Sequence, residues 1–270
     1  MTEQAAQPAD EWRLECRGLS VRRAGRPVLT DVSFTLRAGE CACLVGPNGS
    51  GKTTLLLSLL GLLTPTGGSV RLNDAEVCRL SPRRRARFAA YVPQVLQHRP
   101  ALSVADVVAG GRFAHVGPWR GLTSHDQAAV ERAIAACGLQ ALRERSFSAL
   151  SGGEQQKTLL AAAIAQDPQV LLLDEPNTAL DPAFQLELVR ILRDWHSGGR
   201  ALLIVSHDLQ LPAVLAGRLL AMRGGRIVAD GPAAEVLQPE RLAAVYDAPF
   251  AALTSAGGRQ LVLPEWWRGR

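Results

Sequence analysis

One stretch decides the fold of this chain, and it reads Gly46-Pro47-Asn48-Gly49-Ser50-Gly51-Lys52-Thr53. It has the form Gly-x4-Gly-Lys-Thr and lies between an apolar run at residues 41–45 and a leucine-rich run at residues 55–60. This order predicts a strand, a phosphate-binding loop and a helix, which is the context that gives the motif its meaning. Glycines let the backbone point its N–H groups at phosphates, and the positive end of the helix adds to the attraction.

Two side chains of this loop suit a bound nucleotide. Lys52 is expected to reach the terminal phosphates, and Thr53 is expected to be a hydroxyl ligand for Mg²⁺, with Thr54 beside it in the nucleotide site. Composition supports the choice of lysine, because the chain has 30 Lys and Arg residues but only two lysines, Lys52 and Lys157. An arginine-rich chain would be expected to place arginine here unless the compact ammonium group were required.

The composition is that of an ordinary globular protein. With 270 residues, 47% apolar and 20% charged, the chain can form one large domain with a subdomain. Five cysteines without metal or disulfide spacing suit a reducing compartment. The first ten residues do not resemble a signal peptide, and the longest apolar run, at residues 55–63, is too short to span a bilayer. The net charge of +5 lacks a basic stripe interleaved with aromatics, so no nucleic-acid partner is predicted.

Periodicity outside the loop predicts two kinds of sheet and a helical segment. Alternation from Trp12 and again at residues 32–36 indicates a half-buried antiparallel sheet, and apolar runs at residues 170–173 and 201–205 indicate buried parallel strands. The signals from residue 103 to residue 165 are helical, including two capping-box spacings. The remaining tail is predicted to be helix-prone.

Acidic residues follow one of the predicted parallel strands. Asp174 and Glu175 close the run at residues 170–173, at the edge where open α/β sheets bind ligands. Two solvated acids would be the simpler interpretation in isolation, but after a phosphate loop we expect Asp174 to hold Mg²⁺ and Glu175 to polarise the attacking water. His207 ends the next buried strand and could contact the γ-phosphate, although a lone histidine is more often structural.

A second anion-binding helix terminus is predicted at Ser151, Gly152 and Gly153. The chain thus has two predicted phosphate-binding termini but only one acidic pair, Asp174 and Glu175. The second terminus is therefore expected to bind the nucleotide of a neighbouring molecule. A head-to-tail dimer, with each nucleotide between the loop of one subunit and the serine-glycine terminus of the other, satisfies both.

These motifs resemble the nucleotide-binding subunit of an ATP-binding cassette (ABC) transporter, over about residues 12–235. The resemblance implies an α/β fold: a P-loop NTPase (RecA-like) core with an antiparallel β subdomain and an inserted α-helical subdomain. The core and β subdomain would take residues 12–95 and 166–235, the helical subdomain 96–165 and the C-terminal tail 236–270. The motifs that carry the resemblance are residues 46–53, Gln94, residues 150–156, residues 170–175, residues 179–181 and His207.

The resemblance also assigns roles to individual residues. It implies that Gln94 senses Mg²⁺, the attacking water and the membrane partner, that Asp181 lies in a loop that communicates across the dimer, and that His207 is a switch. Ser151, Gly152 and Gly153 would grip the γ-phosphate of the opposite subunit's ATP, with Glu175 as general base.

The implied cofactors are ATP and Mg²⁺, and the implied metal-binding residues are Thr53, Gln94 and Asp174. The implied partners are a second copy of the chain, polytopic permease subunits and, indirectly, a substrate-binding protein. The location would be the cytoplasmic face of the bacterial inner membrane.

A finer resemblance comes from Leu80-Ser81-Pro82, from residues 103–113 and 119–138, and from the tail around Val245-Tyr246 and residues 261–264. These are similar to importer ATPases for iron-siderophore complexes, haem and cobalamin. The alternatives are the ATPase of a zinc or manganese importer and the ATPase of an ABC exporter. A non-transport ABC ATPase is less favoured because no tandem cassette, coiled coil or zinc insert is present. A P-loop enzyme that phosphorylates a small molecule would leave residues 150–156 unexplained.

One position departs from the family's pattern in the nucleotide site. The aromatic side chain that usually stacks on adenine should fall near Arg23. A guanidinium plane can also stack on a base, so we expect Arg23 to do so. Asn177 likewise replaces a frequent threonine or serine.

Overall fold

The fold is built on a mixed six-stranded sheet, described in a computed structural model for residues 12–94, 100–116, 121–178, 181–254 and 260–265. The helices are α1 (Lys52–Leu59), α2 (Pro82–Phe88), α3 (Val104–Gly110), α4 (Phe113–Val116), α5 (Ser124–Ala136), α6 (Gly152–Ala165), α7 (Pro182–His196), α8 (Gln210–Leu215), α9 (Ala233–Val236) and α10 (Pro239–Tyr246). The strands are β1 (Arg13–Arg23), β2 (Arg26–Arg37), β3 (Cys41–Val45), β4 (Gly67–Leu72), β5 (Ala75–Glu76), β6 (Ala89–Val92), β7 (Val170–Asp174), β8 (Ala201–Val205), β9 (Arg218–Arg223), β10 (Arg226–Pro232), β11 (Phe250–Thr254) and β12 (Gln260–Pro264).

The six-stranded sheet has the order β10-β9-β3-β8-β7-β6. Its strands from β9 to β6 are parallel, and β10 joins the edge antiparallel to β9. Strands β3, β7 and β8 are buried along their whole length, as their unbroken apolar runs predicted. The loops that leave β3, β6, β7 and β8 therefore emerge at one edge of the sheet.

Hydrophobic layers cover both faces of this sheet, because successive residues of a strand point to opposite sides. Cys43 packs with the helical segment and α7, whereas its neighbour Leu44 packs with α1 and the first strands of the chain. Strands β1 and β2 belong to the predicted antiparallel sheet, which has four strands in the order β2-β1-β4-β5.

Helices α3, α5 and α6, which lie in the chain segment between β6 and β7, pack against one another. The capping boxes expected at Ser103 and Thr123 are both formed. A buried ion pair, with Arg112 Nη2 2.8 Å from Asp126 Oδ1, ties the start of α5 to the end of α3. Among the helices described, none is long and apolar enough to cross a membrane.

The tail corrects one prediction. It was expected to be helix-prone, and α10 agrees, but β11 and β12 then pair as an antiparallel hairpin. Phe250 and Val262 from the two strands are buried in the main core. Short strands of this kind depend on a partner strand and on burial more than on local propensity, so the local pattern did not indicate them.

Candidate active site

The phosphate loop takes a backbone path that only glycine permits at two positions. Gly46 and Gly51 have φ angles of 147° and 101°. A Cβ added to Gly46 would overlap the carbonyl oxygen of Met222, and one on Gly51 would lie 2.7 Å from the Leu29 side chain. The loop is therefore packed closely against its neighbours at these two positions.

Lys52 begins α1 and is almost fully buried, with 6% of its surface exposed. Its Nζ donates to the carbonyl oxygens of Gly46 at 2.7 Å and Pro47 at 3.0 Å. Burial lowers the pKa of Lys52, and the carboxylates of Glu175 and Asp174 oppose this shift. The ammonium group thus lies within the loop, where phosphate oxygens can replace the two carbonyls as acceptors.

A cleft of ≈ 270 Å³ opens beside this loop. Ser50 Oγ, in the loop itself, is buried without a hydrogen-bond partner in the described part of the chain. A buried hydroxyl without a partner suits a site that a polar ligand completes. The cleft is lined by Val28, Asn48, Gly49, Gly51, Lys52, Thr53, Thr54, Gln94 and Glu175.

Asp174 ends β7 with its side chain buried next to the loop. Its carboxylate accepts a hydrogen bond from the Tyr91 hydroxyl group at 3.1 Å, and the nearby Thr53 hydroxyl group acts to lower its pKa. Burial raises the pKa of Asp174, while the Thr53 and Tyr91 hydrogen bonds and the Lys52 charge oppose the shift, and Glu175 adds to it. The predicted metal ligands Thr53 and Asp174 are therefore adjacent, and they present the hard oxygen atoms that Mg²⁺ prefers.

The other two predicted catalytic residues, Gln94 and His207, both contact Glu175. Its Oε2 accepts from Gln94 Nε2 at 2.7 Å and from Thr178 Oγ1 at 3.2 Å, and His207 Nδ1 lies 3.1 Å away. Glu175 also has a φ of 48°, an uncommon value for a residue with a side chain. Such strain persists where surrounding contacts over-determine it, which is typical of active sites.

Sequence reasoning missed several partners of these groups. Tyr91 and Thr178 carry no motif of their own, although both lie near residues that do. Asn177 Nδ2 donates to Asp208 Oδ2 at 3.1 Å and so ties the segment after Glu175 to the segment after His207. The position of Asn177 between the acidic pair and Asp181 was the only signal for this link.

A family model described as "ABC transporter" matches residues 29–178, more than half of the chain. The chain belongs to the ABC transporter family. The matched segment includes the phosphate loop, Gln94 and the acidic pair, whereas residues 179–181 and His207 follow it in the chain.

Relatives of this ABC ATPase support the same assignment across most of its length. The hemin import ATP-binding protein HmuV of Nocardia farcinica is 41% identical over 260 residues, which cover 94% of this chain and 90% of the relative. The cobalamin import ATP-binding protein BtuD of Halobacterium salinarum is 40% identical over 253 residues, covering 93% of this chain and 63% of that relative.

A solved structure of an ABC transporter of the metal-chelate type, in an inward-facing conformation, superposes with a TM-score of 0.82 at 27% identity. The superposition covers 94% of this chain and 98% of the other. The predicted P-loop α/β fold and the predicted ATP-hydrolysing transport subunit are thereby confirmed.

The serine-glycine terminus of the ABC ATPase lies apart from its own cleft. Ser151 caps α6, where its Oγ accepts from Glu154 N at 3.3 Å and its N donates to Glu154 Oε2 at 2.8 Å. Ser151 and Gly152 are exposed, and the residues described as lining the cleft include none from α6. One subunit alone therefore does not bring Ser151, Gly152 and Gly153 to its phosphate loop.

Asp181 lies close to this terminus through the first turn of α7. Its Oδ1 accepts from Phe184 N at 2.8 Å, which makes it the N-cap of α7. A Cβ on Gly153 would lie 3.3 Å from the Phe184 ring, and Lys157 Nζ lies 4.6 Å from the centre of the same ring. Ala179 and Leu180, which precede Asp181 in the motif, fall outside the described residues.

Arg23 ends β1, in the hairpin whose second strand places Val28 in the cleft. The side chain is exposed and is not among those that line the cleft in the described structure. Its predicted stacking on adenine therefore stays a prediction.

Arg23→Ala is expected to weaken ATP binding about two- to fivefold, the value of an exposed cation–π contact of about 0.5–1 kcal/mol. Arg22→Ala is the matched control, because the Arg22 guanidinium is already bonded to the Gly25 carbonyl. Titration with a fluorescent ATP analogue measures both variants. Equal affinities for the two variants would contradict a role for Arg23 in stacking.

Proposed function

We propose that this chain is the ATP-hydrolysing subunit of an importer for a metal chelate, with haem as the favoured cargo. The site geometry that carries the proposal is the meeting of Lys52, Asp174 and Glu175 at one sheet edge. The 41% identity to a hemin import ATP-binding protein over nearly the full length supports the cargo class.

Hydrolysis would use the groups around the cleft. The loop N–H groups and Lys52 would hold the β- and γ-phosphates of ATP. Glu175, held by Gln94 and Thr178, would polarise the water that attacks the γ-phosphorus. His207 lies against the same carboxylate oxygen, so movement of its loop would change the surroundings of the base.

Mg²⁺ is the proposed metal of this site. Thr53 and Asp174 would hold it, with Gln94 at the edge of the same cleft, and the adjacent oxygen atoms of Thr53 and Asp174 fit a hard cation. When bound, Mg²⁺ would supply positive charge that offsets the negative charge of the phosphates.

We further propose a homodimer that completes each site. Ser151, Gly152 and Gly153 are oriented as an anion-binding helix terminus but lie outside the cleft of their own chain. A second copy in head-to-tail arrangement would bring this terminus to the γ-phosphate and Asp181 to the interface. ATP would close the dimer, and hydrolysis with phosphate release would reopen it.

The proposed partners follow from this cycle. Dimer closure would pull on polytopic permease subunits, and a substrate-binding protein would deliver the chelate to them. The chain would act at the cytoplasmic face of the bacterial inner membrane, as a peripheral subunit.

Growth with haem as the sole iron source tests the cargo. We expect a deletion strain to lose this growth, a plasmid with the wild-type gene to restore it, and a plasmid with Glu175→Gln to fail. Cobalamin-dependent growth serves as the second arm, because one relative imports cobalamin. Normal growth of the deletion strain on haem would contradict the haem proposal, and loss of growth on cobalamin alone would favour that cargo.

A further inference from the structure

The first glycine of the phosphate loop is bonded to a residue of the C-terminal tail. The Gly46 N–H donates to the hydroxyl oxygen of Tyr246 at 3.0 Å, across 200 positions of sequence. Gly46 is buried, so its N–H needs a partner within the protein. Tyr246 provides that partner.

Packing holds the Tyr246 ring in place. Tyr246 is the last residue of α10, whose Leu242 and Val245 are buried in the main core. The Phe250 ring lies 5.6 Å from the Tyr246 ring, centre to centre, at a tilt of 51°. Burial raises the pKa of Tyr246 to about 12, and the oxygen of the neutral phenol accepts from the Gly46 amide.

The tail that carries Tyr246 also touches the segment after His207. One contact joins the hairpin to α8, where Gln210 Nε2 donates to the Val262 carbonyl at 3.5 Å. The first residue of α8 is Gln210, three positions after His207. The tail therefore contacts the phosphate loop after β3 and the first residue of the helix that follows the His207 segment.

Gly46 is also the residue to which Lys52 is bonded. The Lys52 ammonium donates to the Gly46 carbonyl, while Tyr246 accepts from the Gly46 N–H. When phosphate replaces the carbonyl as the partner of Lys52, the Tyr246 bond still fixes the start of the loop.

We propose that Tyr246 is a positioning residue of the phosphate loop, which orients Gly46 so that the following N–H groups face the phosphates. The inference rests on the proposed role of this loop in ATP hydrolysis. A tail that only stabilised the fold would change unfolding without changing nucleotide affinity, so the two roles are separable.

Tyr246→Phe in the full-length subunit removes the hydroxyl group and keeps the ring. We expect the KM for ATP and the Kd for ADP to rise about tenfold, since a loop that is no longer held by this bond must be ordered when the phosphates bind. The matched control is Val262→Ala, which removes buried volume from the same tail without touching the phenol. We expect this control to unfold at lower urea while the KM for ATP stays within about twofold of wild type.

Amide exchange gives a second measurement that does not need turnover. The peptide that contains Gly46 should exchange faster in Tyr246→Phe than in Val262→Ala, in the absence of nucleotide. An unchanged KM and unchanged exchange in Tyr246→Phe would overturn the inference, as would equal KM increases in both variants. Wild-type protein without ATPase activity would instead contradict the proposed function itself.

Discussion

Glu175→Gln will abolish turnover while ATP still binds. Loss of a positioned general base typically costs about 10²–10⁴-fold in rate. Glutamine has the size of glutamate and can keep the contacts to Gln94 and Thr178, so the site should remain assembled. The Glu175 charge raises the pKa of Asp174, so its removal should leave Asp174 more readily ionised and ATP affinity equal or higher.

Single-turnover hydrolysis and equilibrium binding measure these two expectations separately. In the same variant we expect ATP to produce a stable dimer in size-exclusion chromatography, because the closed state is no longer reset. Thr178→Ala is the matched control, since it removes one contact to the same Oε2 and leaves the carboxylate in place. Wild-type hydrolysis in Glu175→Gln would refute the assignment of the base.

Lys52→Ala will weaken ATP binding by roughly 10- to 150-fold, the equivalent of about 1.5–3 kcal/mol for a charge-assisted hydrogen bond. In the absence of nucleotide, the free energy of unfolding should fall by less than the free energy of ATP binding does. Burial lowers the pKa of Lys52, so its charged form already has a cost in the folded state that alanine removes.

Isothermal titration with ATP and urea unfolding of the same samples test this pair of expectations. Lys52→Arg should also bind poorly, because the buried site offers room for a compact ammonium group and not for a guanidinium fork. Lys157→Ala is the control for the loss of the other lysine, whose ammonium pairs with Glu187. If Lys52→Ala bound ATP as wild type does, the loop would not be the phosphate site.

Coupling to the permease would depend on the same cycle of dimer closure by ATP and reopening after hydrolysis. A subunit whose ATP site needs a second copy can couple closure of the dimer to movement of the membrane partner. The exposed Ser151 and Gly152 are available for such closure.

Local sequence was sufficient to predict the phosphate loop, the buried strands and two helix caps. The loop at residues 46–53, the buried strands and the helix caps at Ser103 and Thr123 are short-range patterns, in which neighbours in sequence determine the conformation. The acidic pair could be assigned to the sheet edge because parallel strands bring their carboxyl ends together.

Local sequence patterns did not predict the structure of the C-terminal tail. Strands β11 and β12 depend on each other and on burial of Phe250 and Val262, so a pattern of local propensity did not reveal them. The sequence by itself determined that this chain carries a phosphate loop, an acidic pair and a serine-glycine terminus.

Only the tertiary structure decided which side chains complete the first two of these motifs. Tyr91 meets Asp174 across 83 positions and Tyr246 meets Gly46 across 200, through contacts between elements that no local pattern relates. Packing sets those distances, because a buried N–H or carboxylate must find its partner in whatever element the fold places beside it.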